Sequence, residues 1–183
     1  FLSHDDIDAV VLVHHPDDQD LIAQLPASVR CLYGGANRDD SVRCALAALK
    51  EQAPDYILIH DAARPCVTQS LISKCLKSMR AHGAAAPAVA VQDTLWRGGD
   101  TVEKTVDRDN LWRAQTPQCF SYPLIARAHA AATQPATDDV QIVRAAGHPV
   151  AIVPGDADNL KVTVPGDFAR AEQILRGRMK LRL

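Results

Sequence analysis

The sequence predicts an α/β fold, with helices on both faces of a sheet assembled from β-α-β units. Three observations carry that. Short runs of branched apolar residues alternate with longer stretches whose apolar positions recur at helical spacing. Strands alternating with helices in this way imply parallel pairing and a helix–sheet–helix sandwich. The chain has 183 residues, 47% of them apolar, with no internal repeat, low-complexity tract or flexible linker, which bounds it to one ordinary domain.

Taken in order, Val10-Val11-Leu12-Val13 sits between acids and His-His-Pro-Asp-Asp, a strand turning into a helix near 17–24. A second strand covers 29–33 and stops at Gly34-Gly35. From Asp40-Ser41 the positions Val42, Ala45, Leu46 and Leu49 keep helical spacing, with Ser41 or Asp40 as N-cap. Residues 56–59 form a third strand, and 69–82 a helix with Leu71, Ile72, Cys75, Leu76 and Met79 on one face. A buried strand covers 84–91. Two polar extended runs then flank Gly98-Gly99-Asp100, a β-hairpin that suits projection outward better than the centre of a sheet. Helices follow at 122–133 and 138–146, the latter ended by Gly147; a strand at 150–153 and a helix at 168–178 close the chain.

Composition excludes several classes of function. A net charge of −2 with no basic run gives no nucleic-acid-binding surface. The five cysteines are odd in number and form no C-x-x-C pair, which points to a reducing, cytoplasmic setting. No apolar run approaches the roughly 18 residues that a membrane helix needs, and the start FLSHDDIDAVVLV lacks the basic region of a signal peptide. The seven histidines show no metal-ligand spacing, and His60 reads as structural.

Ligands of open α/β sheets bind beyond the carboxyl ends of strands. There Ile59 is followed by His60-Asp61-Ala62-Ala63-Arg64-Pro65. Asp61 and Arg64 read either as ligand-facing groups, with the arginine a planar fork for an anion, or as a helix cap beside an incidental arginine. The loop Gly34-Gly35-Ala36-Asn37-Arg38-Asp39-Asp40-Ser41 is either an anion-binding helix start or a plain turn. In Asn159-Leu160-Lys161-Val162-Thr163, a period of two puts Lys161 on one face with Asn159 and Thr163, a solvated edge or a working cation.

Those stretches combine into a resemblance. HDAARP at 60–65, GGANRDDSV at 34–42, DT at 93–94, VDRDNLWRAQTPQCF at 106–120, TDD at 137–139 and NLKVT at 159–163 occur in family order. Over nearly the whole chain this resembles the 2-C-methyl-D-erythritol 4-phosphate cytidylyltransferases. The resemblance implies a Rossmann-like nucleotidyltransferase fold of glycosyltransferase-A type, a single domain over 1–183, and a dimerisation arm at 92–107. It implies CMP transfer from CTP to a small phosphorylated polyol, with Mg²⁺. Carried over by position, Gly34, Gly35, Ala36, Ser41, Asp61, Ala62 and Lys161 bind CTP. Asp61, Arg64, Thr94, Arg108, Thr116 and Thr137 bind the polyol phosphate. Arg108 and Lys161 orient its phosphate for attack as catalytic groups, and Asp61 is also the candidate metal ligand. The arm implies a homodimer in which it helps complete the partner's site.

The chemistry agrees, because pressing one phosphate onto a polyphosphate needs placed cations and no nucleophilic His or Cys. The resemblance further implies a strand and a loop P-A-A-G-x-G-x-R, then P-K-Q, wrapping the triphosphate; the expectation is an active enzyme whose loop precedes Phe1. Closing residues MKLRL are not taken as the opening of a fused cyclodiphosphate synthase, since no Asp-x-His motif is present. Val140-Gln141 after TDD departs from the family's Ala-Ser, at the edge of the polyol pocket, and Trp96 stands where relatives often carry Lys. Two rivals remain: the same chemistry on another alditol phosphate, such as ribitol phosphate, and a non-catalytic nucleotide-binding protein.

Overall fold

A computed structural model describes residues 1–180; MKLRL runs into 181–183, which lie outside the described residues. Two sheets and a separate two-stranded hairpin carry the chain. β1 (Val10–His14) and β2 (Val29–Tyr33) pair in parallel, in register from Val10 opposite Val29. Between them the expected helix shortens to a 3-10 turn, Pro16–Asp18, and one turn, α1 (Gln19–Ile22). α2 (Arg38–Ala48) begins earlier than the apolar spacing suggested, because Asn37, not Asp40 or Ser41, caps it by accepting from the Asp40 N–H at 2.9 Å.

The main sheet is built from β3 (Tyr56–Ile59), β4 (Ala84–Ala90), β7 (Trp112–Ala114), β8 (Gln118–Ser121) and β9 (Ala151–Pro154), once the hairpin strands β5 (Leu95–Gly98) and β6 (Val102–Val106) are set aside. All-parallel pairing does not hold here. β8 runs antiparallel to both β3 and β4, and β7 is antiparallel to β4; only β9 joins β4 in parallel. The physical reason is the connection: from the hairpin the chain returns straight through 112–121 with no helical crossover, so it must run back alongside β4. β7 and β8 follow one another along one edge of β4, and β9 takes the other.

Helices cover both faces, as the sequence predicts. On one side α3 (Gln69–His82) packs Leu71, Ile72, Cys75, Leu76 and Met79 against Ala85, Cys119 and Val153. On the other, α4 (Tyr122–Ala131), α5 (Asp139–Ala145) and Leu46 of α2 pack against Ala84 and Phe120. Adjacent residues Ala84 and Ala85, and likewise Cys119 and Phe120, thus feed opposite cores, the period-two signature of a sheet buried on both faces.

Local signals set the ends. Thr68 caps α3 by accepting from Leu71 N–H at 3.2 Å, and Gly83 ends it at φ +80°, where a side chain would be strained. The last helix, α6 (Pro165–Lys180), is anchored by Arg178, which donates to the Cys66 carbonyl at 2.6 Å. The hairpin stands off the sheet with Trp96 and Val102 exposed; Gly98 is needed there, since a Cβ would meet the Thr101 carbonyl oxygen at 2.1 Å. No helix among the described residues is long and apolar enough to cross a membrane.

Candidate active site

The site grows from the carboxyl end of β3. His60 Nε2 lies 3.0 Å from the Arg64 carbonyl, which can only accept, so Nε2 carries the proton. Nδ1 then accepts from the Thr116 hydroxyl at 3.0 Å, and that oxygen in turn accepts the Asp61 N–H at 3.0 Å. One half-buried imidazole therefore sets both the HDAARP turn and Thr116. Its pKa is held below the ordinary 6.5, first by burial, with the bond to Arg64 opposing.

A second loop, 155–163, closes over this turn. Gly155 lets the backbone pass Gln115, where a Cβ would lie 2.5 Å from Oε1. Gln115 then donates to the Asp156 carbonyl at 2.7 Å and accepts from Asp156 N–H at 3.1 Å. Asn159 is fully buried and donates to the Thr116 carbonyl at 2.8 Å, while Val162 N–H bonds the Ala63 carbonyl at 2.8 Å. This corrects the shared-face expectation: the segment is not a strand, and Asn159 points inward while Lys161 points out. Buried amides fix the backbone, and the lysine is what they present.

Lys161, Asp61, Arg64, Arg38, Thr116 and Thr137 converge on one cavity of about 240 Å³, with Gln118 and Asp138 also in its wall. Asp61 is the electrostatic centre. Lys161 Nζ lies 3.1 Å from Oδ2, Arg64 Nε 3.7 Å from the same oxygen, and Arg38 Nε 3.8 Å from Oδ1. Thr137 is pre-oriented, because Gln141 Oε1 accepts from both its N–H and its hydroxyl, at 3.0 and 3.1 Å. The Gln141 departure thus touches the pocket edge.

Some expected site residues are committed elsewhere or stand apart from this cavity. Arg64 does not offer a free fork: its side chain is only 12% exposed, and it donates to the carbonyls of Asn159 (2.8 Å) and Ala114 (3.2 Å). It is a strut between loops. Three cations lie within 4 Å of Asp61, so its carboxylate is engaged in ion pairs. Thr94 and Arg108 stand exposed at the hairpin base, outside the cavity wall; Arg108 donates to the Gln92 carbonyl. Gly34, Gly35, Ala36, Ser41 and Ala62 also lie outside that wall. The Gly-Gly loop follows β2 of the smaller sheet and is closed by Ser41, whose Oγ accepts from Gly35 N–H at 3.2 Å. Arg38 was missed, although its place in that loop, at the head of a helix, was a usable signal.

A polar cleft lined by cations, at the carboxyl end of a strand in a doubly covered sheet, suits a nucleotidyltransferase. The family model of 2-C-methyl-D-erythritol 4-phosphate cytidylyltransferase matches residues 1–177, and the chain belongs to that family. It is 52% identical over 181 residues to the 2-C-methyl-D-erythritol 4-phosphate cytidylyltransferase of Roseobacter denitrificans, covering 97% of this chain and 81% of that one. Identity is also 52% over 178 residues to the bifunctional enzyme IspD/IspF of Dinoroseobacter shibae, covering 96% of this chain but 44% of the relative. The crystal structure of the cytidylyltransferase from Thermus thermophilus superposes with a TM-score of 0.83 at 36% identity, over 93% of this chain and 84% of that one.

Proposed function

We propose that this chain transfers the CMP group of CTP to 2-C-methyl-D-erythritol 4-phosphate, giving 4-diphosphocytidyl-2-C-methyl-D-erythritol and pyrophosphate. One observation carries this: in a chain of that family, Lys161 and Asp61 face each other at 3.1 Å inside a cavity whose wall also holds Thr116 and Thr137. An oxygen of the acceptor phosphate attacks the α-phosphorus of CTP in line. The new P–O bond forms as the bond to the β-phosphate bridge breaks, and the electron pair leaves with pyrophosphate.

Two polyanions repel, so the protein contributes placement and positive charge in place of proton chemistry. Lys161 leaves Asp61 for the entering phosphate, and Thr116 and Thr137 supply hydroxyls. The Gly34-Gly35 loop and Ser41 hold the cytidine beside it. Magnesium belongs to this proposal as an ion brought in on nucleotide phosphates, which suits an ion that keeps most of its ligands from water and phosphate. Arg108 and Thr94 act from the hairpin of a second copy, so the working unit is a homodimer in the cytoplasm.

The test is pyrophosphate release by the full-length protein from CTP and Mg²⁺, with either methylerythritol phosphate or ribitol phosphate as acceptor. Release with methylerythritol phosphate supports the reading. Release with ribitol phosphate alone overturns the acceptor, and release with neither overturns the chemistry.

A further inference from the structure

Arg38 reaches the cavity through a relay of buried groups. His129 on α4, 2% exposed, places Nε2 2.9 Å from Asp139 Oδ1. Asp139 opens α5 and is wholly buried; its other oxygen accepts from Arg38 Nη2 at 2.7 Å. Its N–H donates to Gln118 Oε1 on β8 at 3.1 Å, so the carboxylate is fixed from several elements at once. The same turn of α2 is docked a second time, where Asp39 Oδ2 accepts from the Ala136 N–H at 3.0 Å.

Neutralising one buried carboxylate needs one cation. Two groups aimed at separate oxygens fix its orientation as well, and hence the direction in which Arg38 leaves it. That matters because Arg38 is largely unspent. A guanidinium has five N–H donors, and this one makes a single hydrogen bond among the described residues, to Asp139. Its Nε is 3.8 Å from Asp61, beyond hydrogen-bond reach, and Nη1 is buried without a partner, a donor that only a shift of the guanidinium would turn to a ligand. Arg64, by contrast, spends both terminal nitrogens on carbonyls, and only its Nε is left without a partner. Arg38 keeps 35% of its side chain exposed and lines the cavity opposite Lys161 around Asp61.

We propose that Arg38 binds the phosphate of the alditol acceptor, and that Asp139 and His129 are positioning residues that hold its guanidinium in the cavity wall. The inference rests on the acceptor pocket read above. It gives Arg38 the anion-binding part that the sequence had suggested for Arg64, and it couples the helix following the Gly-Gly loop to the segment that carries Thr137.

The experiment is calorimetric titration of methylerythritol phosphate into full-length protein held with α,β-methylene-CTP, alongside steady-state kinetics with CTP. Arg38→Ala is expected to weaken acceptor binding and raise its KM about tenfold or more, with the KM for CTP moved less than about threefold; Arg38→Lys recovers part of the loss. Asp139→Asn is expected to weaken the acceptor in the parent but to add little in the Arg38→Ala background, because it acts through Arg38. Equal acceptor affinity in parent and Arg38→Ala overturns the inference, as does an Asp139→Asn loss of the same size in both backgrounds. Weakened binding by Arg38→Ala without pyrophosphate release from the parent overturns the transferase reading and leaves the anion site standing.

Discussion

Lys161 Nζ lies 3.1 Å from Oδ2 of Asp61, joining the loop after β9 to the turn after β3. The lysine side chain is 46% exposed, against 17% for the aspartate. Such a bridge holds little stability, but it parks a cation where an anion can take it over. The lysine lines the cavity.

It follows that Lys161→Ala costs function far more than fold. Removing it is expected to lower turnover ~100-fold or more while changing unfolding free energy by about 1 kcal/mol or less. Steady-state kinetics and urea unfolding on the same samples check both halves. A large loss of stability with turnover intact would make Lys161 a structural residue.

Arg64 should behave the opposite way. Its donors bridge the Asn159 and Ala114 carbonyls from a nearly closed position. Arg64→Ala is expected to cost ~2–4 kcal/mol of stability, read as a lower urea midpoint. Arg64→Lys recovers only part, since a single ammonium cannot span both carbonyls. An unchanged midpoint would show that the fork is free.

His60 gives a pH dependence with a definite sign. Its folded-state pKa lies below the ordinary 6.5, chiefly because burial disfavours the charged ring. The unfolded chain therefore takes the proton first as pH falls. Stability from this group is whole above about 6.5 and is lost as pH drops from there through the folded value. NMR titration of the His60 ring is expected to give a midpoint under 6.5; a midpoint at or above it contradicts the neutral, doubly bonded imidazole.

The two-copy site predicts complementation. If Arg108 acts on the partner's cavity, Arg108→Ala and Lys161→Ala homodimers are each nearly inactive. Co-refolding them leaves one intact site in each mixed dimer, which restores about a quarter of parent activity when the chains pair at random. No recovery on mixing would place Arg108 and Lys161 in one chain's site, and a fully active Arg108→Ala homodimer would place Arg108 in none.

Much of this was readable in the chain. Val10 to Val13, the 56–59 strand, α3 and the Gly-Gly hairpin announce themselves through apolar period and turn residues, and Asp61, Thr116, Thr137 and Lys161 do share a cavity. What was lost had physical causes. β7 and β8 are three and four residues long and separated by Gln115-Thr116-Pro117, so neither shows a run to count. The fate of Arg64 depended on carbonyls 50 and 95 residues away, and that of Arg38 on a carboxylate 101 residues away, separations at which no local pattern speaks. At Asn159 a buried amide overrode the alternation that its neighbours suggested.

The most direct test is diffraction from crystals of the full-length protein grown with 4-diphosphocytidyl-2-C-methyl-D-erythritol. The expected result is a diphosphate seated in the cavity beside Asp61, with Lys161 Nζ and the Arg38 guanidinium about 3 Å from its oxygens. A product bound on any other surface, with the Lys161–Asp61 bridge still closed, would contradict the assignment of this cavity to phosphoryl transfer.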